Sequence, residues 1–195
     1  MRVAIVKYNA GNIRSVAYAL NRLGIEPEIS DDPEVLKSVD KVVFPGVGEA
    51  STAMNYLKKD GLDKLIPSLQ QPVLGICLGL QLMCTHSEEN DTDCLNIFPV
   101  QVKKFPSQEQ IKVPQIGWNN IHDLKSPLFK GIDENAYMYF VHSYYAEQNP
   151  YAIATTDYIF PYTSAIHKDN FYAVQFHAEK SGDVGSQIIE NFIRL

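Results

Sequence analysis

The segment Gly-Ile-Cys77-Leu-Gly has the residue types and spacing of a nucleophile elbow in which cysteine is the reactive residue. The apolar run Pro72–Ile76 predicts a buried strand before it, and the residues after it predict a helix. So sharp a turn would crowd a Cβ at the two flanking positions, which are glycines here. A helix N-terminus favours the nucleophilic thiolate. The alternative is a buried core cysteine, the commoner fate of a single cysteine, but the flanking glycines favour catalysis.

A second candidate for chemistry is His177, which ends an apolar strand-like run and is followed two residues later by Glu179. Residues two apart on a strand face the same way, so the two side chains are expected to form a hydrogen bond. A carboxylate on one imidazole nitrogen fixes the tautomer and leaves the other nitrogen for a thiol. The pair alone is common by chance, but with an elbow cysteine it predicts a triad of Cys77, His177 and Glu179.

Backbone and amide groups near the cysteine could complete such a site. The Leu78 N–H follows the nucleophile directly and can stabilise an oxyanion. Glycines bracket Val47, so little bulk surrounds a second N–H, although an ordinary strand-to-helix turn would have the same pattern. Gln81 lies one helical turn after Cys77 and can hydrogen-bond a small polar substrate; a solvated glutamine is the alternative.

In the N-terminal half, the elements that must position these residues alternate between strand and helix. The predicted strands are Arg2–Val6, Ile25–Ile29, Lys41–Phe44 and Pro72–Ile76. The predicted helices are Ile13–Leu23, a short one from about Pro33, and Glu49–Lys58. This alternation predicts right-handed βαβ units and a parallel sheet.

The second half of the chain is richer in strands. Strand-like segments are Leu95–Phe105, Gln115–Leu124, Ala136–Ala146, Tyr151–Asp157 and Ser164–His177, the last with a hairpin turn at Asp169-Asn170. An amphipathic helix is predicted over Gly182–Leu195, with one apolar side formed by Ile188, Ile189, Phe192 and Ile193. Without a repeat or linker, residues 1–195 are interpreted as a single α/β domain.

Composition and charge exclude several classes of protein. With 45% hydrophobic and 21% charged residues, the 195-residue chain is typical of a soluble globular protein. The net charge of -6 argues against a nucleic-acid surface, and no apolar run is long enough to cross a membrane. Three cysteines without a CxxC pair argue against disulfides and zinc and predict a reducing, cytoplasmic setting.

The run from Gly75 to Gln81, together with Phe-His177-Ala-Glu179, resembles the class I, triad-type glutamine amidotransferases. The resemblance implies a flavodoxin-like α/β fold with a mainly parallel sheet extended by antiparallel strands. It also implies that Cys77 attacks the side-chain amide of L-glutamine, that His177 protonates the departing ammonia, and that water hydrolyses the thioester. It implies neither a metal nor an organic cofactor.

Further segments are similar to one branch of this family, the glutaminase subunits of imidazole glycerol phosphate synthases. They are Tyr8–Ser15, Pro45–Gly48, Pro114–Asn119, Tyr139–Tyr144 and His177–Ser181, which together span most of the chain. This similarity implies a heterodimer with a (β/α)₈ cyclase subunit, which receives the ammonia and forms imidazole glycerol phosphate and an aminoimidazole carboxamide nucleotide.

The resemblance also implies roles for residues outside the triad. The oxyanion would be stabilised by the N–H groups of Val47 and Leu78. Glutamine would be bound by Gly48, Gln81, Ser143 and Tyr144. The partner interface would contain Asn12, Trp118, Tyr139, His142 and Lys180. From the residues alone, Trp118 could instead be buried in its own core, and Lys180 could be an ordinary solvated side chain.

The chain departs from the family pattern in three places. Ala178 replaces the usual proline after the histidine, Lys7-Tyr8-Asn9 replaces Asp-Tyr-Gly, and residues 88–96 are less rich in glycine than is common. None of these changes removes a chemical group from the mechanism. Two other functions stay open: a glutaminase for another synthase, such as that for pyridoxal phosphate or anthranilate, and a noncatalytic binding subunit.

Overall fold

A computed structural model describes residues 1–195, and a large mixed sheet forms its centre. The strands are β1 Val3–Val6, β2 Glu28–Ser30, β3 Lys41–Gly46, β4 Val73–Cys77, β5 His86–Ser87, β6 Thr92–Asp93, β7 Gln101–Lys104, β8 Gln115–Ile121, β9 Ala136–His142, β10 Tyr144–Ala146, β11 Ala152–Asp157, β12 Pro161–Lys168 and β13 Phe171–Val174. The helices are α1 Ile13–Arg22, α2 Pro33–Ser38, α3 Ala50–Lys59, α4 Leu62–Ser68, α5 Leu78–Met83 and α6 Gly182–Arg194. Two 3₁₀ turns cover Pro127–Phe129 and Ala178–Lys180.

The predicted fold, a mainly parallel sheet extended by antiparallel strands, is confirmed. The eleven-stranded sheet has the order β2-β1-β3-β4-β13-β12-β10-β7-β5-β6, and β11 pairs with β12. The five strands from β2 to β13 are parallel, whereas β12, β10 and β7 continue the sheet in antiparallel pairs. Strands β8 and β9 form a separate two-stranded ribbon.

Helices cover both faces of this sheet. Alternate residues of β1 point into two different apolar clusters: Ala4 and Val6 into one, Val3 and Ile5 into the other. Helices α2 to α5 contribute to the first cluster, and α1 and α6 contribute to the second. The predicted apolar side of α6 is confirmed, because all four of its named residues are buried. No helix has both the length and the apolar character that crossing a bilayer requires.

Early in the chain, only one predicted strand is misplaced. The strand predicted over Ile25–Ile29 is instead β2, three residues later. Ile25 instead belongs to the end of α1. It follows Gly24, which has a φ of 77°, and its N–H donates to the Leu20 carbonyl. This is a Schellman-type helix end, so Ile25 cannot begin a strand.

Several predicted strand boundaries in the second half are wrong, including the end of Gln115–Leu124, which the structure places at Ile121. Within the predicted strand Leu95–Phe105, residues 95–98 donate N–H groups to the carbonyls of residues 82–84 at the end of α5, so only β7 is left in the sheet. The predicted strand Ala136–Ala146 breaks at Ser143, and its halves join different sheets. The hairpin turn at Asp169-Asn170 is confirmed, but its second strand, β13, ends at Val174.

Helix α4, the β5–β6 hairpin and the two 3₁₀ turns were not predicted. Helix α4 contains Pro67 and is only 7 residues long, so its sequence does not have a clear helical period. The hairpin of β5 and β6 has 2 residues in each strand, too few for an alternating pattern.

Helix α5 lies directly against β3 because Gly79 has no side chain. A Cβ at this position would overlap the Phe44 carbonyl oxygen, a backbone atom that cannot move alone. We expect Gly79→Ala to lower the free energy of unfolding by about 3 kcal/mol through overpacking, measured by urea unfolding. Gly24→Ala is the control, since it has open space and only the cost of a positive φ, about 1 kcal/mol. Equal losses in both variants would contradict this interpretation.

Candidate active site

Cys77 is the last residue of β4 and directly precedes the first residue of α5, as the elbow motif predicted. Its φ of 56° and ψ of -109° lie in a region that residues other than glycine rarely adopt. Of the flanking glycines, Gly79 is required, because a Cβ there would overlap the backbone of β3, whereas a Cβ on Gly75 would make a tight contact of 3.0 Å with Met83 Sδ. The result is a cysteine held at the N-terminus of α5, at the carboxyl end of β4.

His177 and Glu179 are paired, but not for the reason that the sequence suggested. His177 Nδ1 lies 2.8 Å from Glu179 Oε1, and both side chains are fully buried. However, β13 ends before His177, and the 3₁₀ turn Ala178–Lys180 brings the carboxylate back to the ring. The expectation of two neighbours on one face of a strand is therefore wrong, although the predicted contact exists.

The electrostatic surroundings of His177 favour its protonated form. Burial by itself would lower the pKa of the ring, but interaction with the Cys77 sulfur and with the Glu179 carboxylate raises it to about 10. Nε2 is buried and has no hydrogen-bond partner within the chain, whereas Nδ1 is held by Glu179. An imidazolium next to a cysteine sulfur can stabilise a thiolate and deliver a proton to a leaving group.

Asn12 belongs to the same buried group. Its Nδ2 donates to Glu179 Oε1 at 3.2 Å, so the same carboxylate oxygen is contacted by both Asn12 and His177. The remaining oxygens, Asn12 Oδ1 and Glu179 Oε2, have no partner within the chain. Asn12 thus helps to fix the carboxylate, whereas its role at a partner interface stays a prediction.

One cavity of about 290 Å³ opens beside Cys77. Its wall includes every residue that was predicted to bind substrate or an oxyanion: Val47, Gly48, Leu78, Gln81, Ser143 and Tyr144. Leu78 is the first residue of α5, a position whose N–H has no acceptor within its own helix. The cavity size lies near the lower end of the range for small-molecule sites.

Gln81 is buried, so the solvated alternative is wrong. Its Nε2 donates to the Tyr144 carbonyl at 2.9 Å and to Gln175 Oε1 at 3.0 Å. Gln81 therefore connects α5 to β10, the strand that carries Tyr144.

Comparison with known proteins identifies the family. The family model described as glutamine amidotransferase class-I matches residues 4–195. The chain belongs to this family. It is 60% identical over 196 residues to the imidazole glycerol phosphate synthase subunit HisH of Bacteroides thetaiotaomicron, with 100% of both chains covered. It is 44% identical to the protein of the same name from Escherichia coli, again over 100% of both chains.

Solved structures agree with this fold. The crystal structure of a glutamine amidotransferase matches with a TM-score of 0.76 at 16% identity and covers 98% of this chain and 97% of the other. A glutamine amidotransferase from Thermotoga maritima matches with a TM-score of 0.62 at 18% identity and covers 100% of this chain and 81% of the other. At these identities, the matches show a shared fold.

Glu89 is a wall residue of this amidotransferase that the sequence did not reveal. It lines the cavity and accepts a hydrogen bond from the Ala50 N–H at 2.7 Å. Burial raises the pKa of this carboxyl and outweighs the opposing effect of the Ala50 bond. Glu89 lies in residues 88–96, a segment that the sequence marks only as a departure from the family pattern. An acidic side chain in that segment was the available signal.

The predicted interface residues of the amidotransferase lie in different environments. Trp118 is 56% exposed, so its burial in the core is wrong, and its ring packs against Tyr139 with centroids 6.0 Å apart. Lys180 is also exposed. Asn12 and His142, in contrast, are buried. The interface assignment of all five residues stays a prediction.

His142 is neutral because it is buried among aromatic rings. Burial lowers its pKa to about 4, although a hydrogen bond to the Tyr144 carbonyl at 2.7 Å opposes this. Because a carbonyl only accepts, His142 Nδ1 carries the proton, and Nε2 faces the Tyr162 hydroxyl at 3.1 Å.

We expect His142 to make the protein sensitive to acid. The unfolded chain binds this proton near pH 6.5 and the folded chain only near pH 4, so stability falls as the pH decreases through this window. The contribution is about 3 kcal/mol by linkage. In urea unfolding between pH 7 and about pH 4, His142→Gln should lose that part of the slope, whereas His167→Gln controls for removing a histidine elsewhere. Parallel curves for wild type and His142→Gln would contradict the assignment.

Proposed function

We propose that this chain is the glutaminase subunit of an imidazole glycerol phosphate synthase in histidine biosynthesis. It hydrolyses L-glutamine to glutamate and ammonia and passes the ammonia to a cyclase subunit. The cyclase then forms imidazole glycerol phosphate and aminoimidazole carboxamide ribonucleotide. The observation that carries this proposal is the buried pair His177–Glu179 beside an elbow cysteine, in a chain 60% identical over its full length to a HisH subunit.

The positions of the three side chains support the following reaction. The Cys77 thiolate attacks the amide carbon of glutamine, and the negative charge that develops on the amide oxygen is stabilised by the N–H groups of Leu78 and Val47. Protonated His177 gives its proton to the nitrogen as the C–N bond breaks, which releases ammonia and leaves a thioester. Neutral His177 then removes a proton from water, whose oxygen attacks the thioester carbon. The C–S bond breaks, and glutamate leaves while Glu179 holds the imidazole in place.

Glu89 supports glutamine as the substrate. A half-buried carboxylate in a small cavity suits the α-ammonium group of an amino acid. Gly48, Ser143 and Tyr144 line the same cavity and can contact the remaining polar groups. Both N–H groups of Gln81 are engaged within the chain, so its carbonyl oxygen is the group that it can offer to substrate.

The β8–β9 ribbon is where we place the cyclase. In its pairing, Trp118 lies opposite Tyr139 and Ile116 lies opposite Val141, so these four share one face. Ile116 is 64% and Trp118 is 56% exposed, which makes this face unusually apolar. Val141 also lines the cavity, so a partner on this face would lie next to the site where ammonia is released. The resulting heterodimer, and its cytoplasmic location, belong to this proposal.

The decisive test is glutamate release from glutamine, measured for the chain alone and with a cyclase partner and its nucleotide. We expect activity to rise in the complex and to disappear in Cys77→Ala, because neither Cys84 nor Cys94 lines the cavity. Activity that is indifferent to this cyclase would point to another synthase. If glutamine is not hydrolysed under any condition, the chain is a noncatalytic binding subunit.

Glu89→Gln should weaken glutamine binding by removing the charge that faces the ammonium group. A charged hydrogen bond contributes about 1.5–3 kcal/mol, so we expect KM to rise about 10- to 100-fold with little change in kcat. Glu88→Gln, an exposed carboxylate one residue away, is the matched control. Glutaramate has no α-amino group, so its hydrolysis should be insensitive to Glu89→Gln. An equal effect on both substrates would refute this role.

A further inference from the structure

Gln175 is a fully buried residue that lies between the end of β13 and His177. Its Nε2 lies 3.8 Å from Cys77 Sγ, within the range of a hydrogen bond to sulfur. Its Oε1 accepts the hydrogen bond from Gln81 Nε2 at 3.0 Å. One side-chain amide therefore connects the candidate nucleophile with a residue of the cavity wall.

The orientation of this amide follows from a backbone group. The Tyr144 carbonyl can only accept, so Gln81 must turn its NH₂ group toward it. The second hydrogen of that NH₂ group is then available to Gln175, which must present its oxygen to Gln81. As a consequence, the NH₂ group of Gln175 faces the Cys77 sulfur. The two possible flips of each amide are thus reduced to one.

We propose that Gln175 is a further catalytic residue, which donates an amide N–H to the Cys77 sulfur and stabilises its anionic form. This inference rests on the proposed glutaminase function. The N–H acts twice in the reaction: it increases the thiolate fraction before attack, and it stabilises the sulfur again when the C–S bond of the thioester breaks and the electron pair returns to sulfur. Gln81 and the Tyr144 carbonyl are positioning groups that keep the amide turned the right way.

Alkylation of Cys77 by iodoacetamide at different pH values tests this directly, because only the thiolate reacts. The rate is followed by tandem mass spectrometry that locates the adduct on Cys77, because the chain has no Lys or Arg between Lys64 and Lys103 and one tryptic peptide therefore contains Cys77, Cys84 and Cys94. In Gln175→Met, which lacks the donor, we expect the midpoint of the rate profile to move up by about one pH unit. That corresponds to about tenfold less thiolate at a pH below the midpoint.

Gln175→Glu is the second variant, and it keeps the proposal testable if Gln175→Met fails to fold. It keeps the length of the side chain and an acceptor for Gln81, but it places an oxygen near the sulfur, so its midpoint should move up further than that of Gln175→Met. The matched control is Gln187→Met, a partly buried glutamine on α6 outside the cavity, whose profile should coincide with that of wild type.

The results separate this inference from the proposed function. If both Gln175 variants unfold at lower temperature but keep the wild-type midpoint, Gln175 is only structural and the inference is overturned. Alkylation does not require glutamine, so unshifted profiles would leave the glutaminase proposal intact. Conversely, a wild-type chain that never hydrolyses glutamine would overturn the proposed function, while the alkylation profiles would still report on the contact between Gln175 and sulfur.

Discussion

The site depends on the left-handed backbone conformation of Cys77. A residue with a side chain in that region costs on the order of 1–3 kcal/mol and persists only when its surroundings hold it there. Here, Cys77 ends β4, and β4 is paired on one side with β3, in a register that places Gly46 opposite Cys77, and on the other side with β13. Because these strands are buried on both faces, the turn cannot relax, and the sulfur is held at the start of α5.

The same pairing brings His177, the proposed acid-base group, to Cys77, the proposed nucleophile. Strand β13 lies parallel to β4, with Val174 opposite Ile76, so the segment after β13 emerges next to the elbow. Gln175 and His177 both come from this segment, and the 3₁₀ turn that follows returns Glu179 to the histidine. The carboxyl ends of parallel strands are a common location for active sites, and here they contribute groups from two neighbouring strands.

Two carboxylates near the nucleophile have different surroundings and therefore different properties. Glu179 is buried and bonded to His177 and Asn12, which suits a group that must hold an imidazolium. Glu89 lies on the cavity wall, and burial raises its pKa. A bound cation would stabilise the ionised form of Glu89. Glu179, in contrast, is already hydrogen-bonded to His177. In the proposed reaction, Glu179 thus supports the imidazole, whereas Glu89 suits recognition of the substrate.

The sequence alone determined the features that depend on neighbouring residues: the elbow at Cys77, the hairpin at Asp169-Asn170, the amphipathic helix α6 and the α/β order of elements. Its family resemblance also supplied six of the residues that line the cavity, Val47, Gly48, Leu78, Gln81, Ser143 and Tyr144. The roles proposed for Gln175 and Glu89 could not be predicted from the sequence, because each depends on contacts between segments far apart in the chain. Gln175 contacts Cys77, which lies 98 positions away in the chain, and Glu89 accepts a hydrogen bond from Ala50 at the start of α3, 39 positions away. Likewise, the break at Ser143 arises because β9 and β10 find partners in different sheets. Local patterns encode turns and periods, whereas only the packed chain decides which side chains meet.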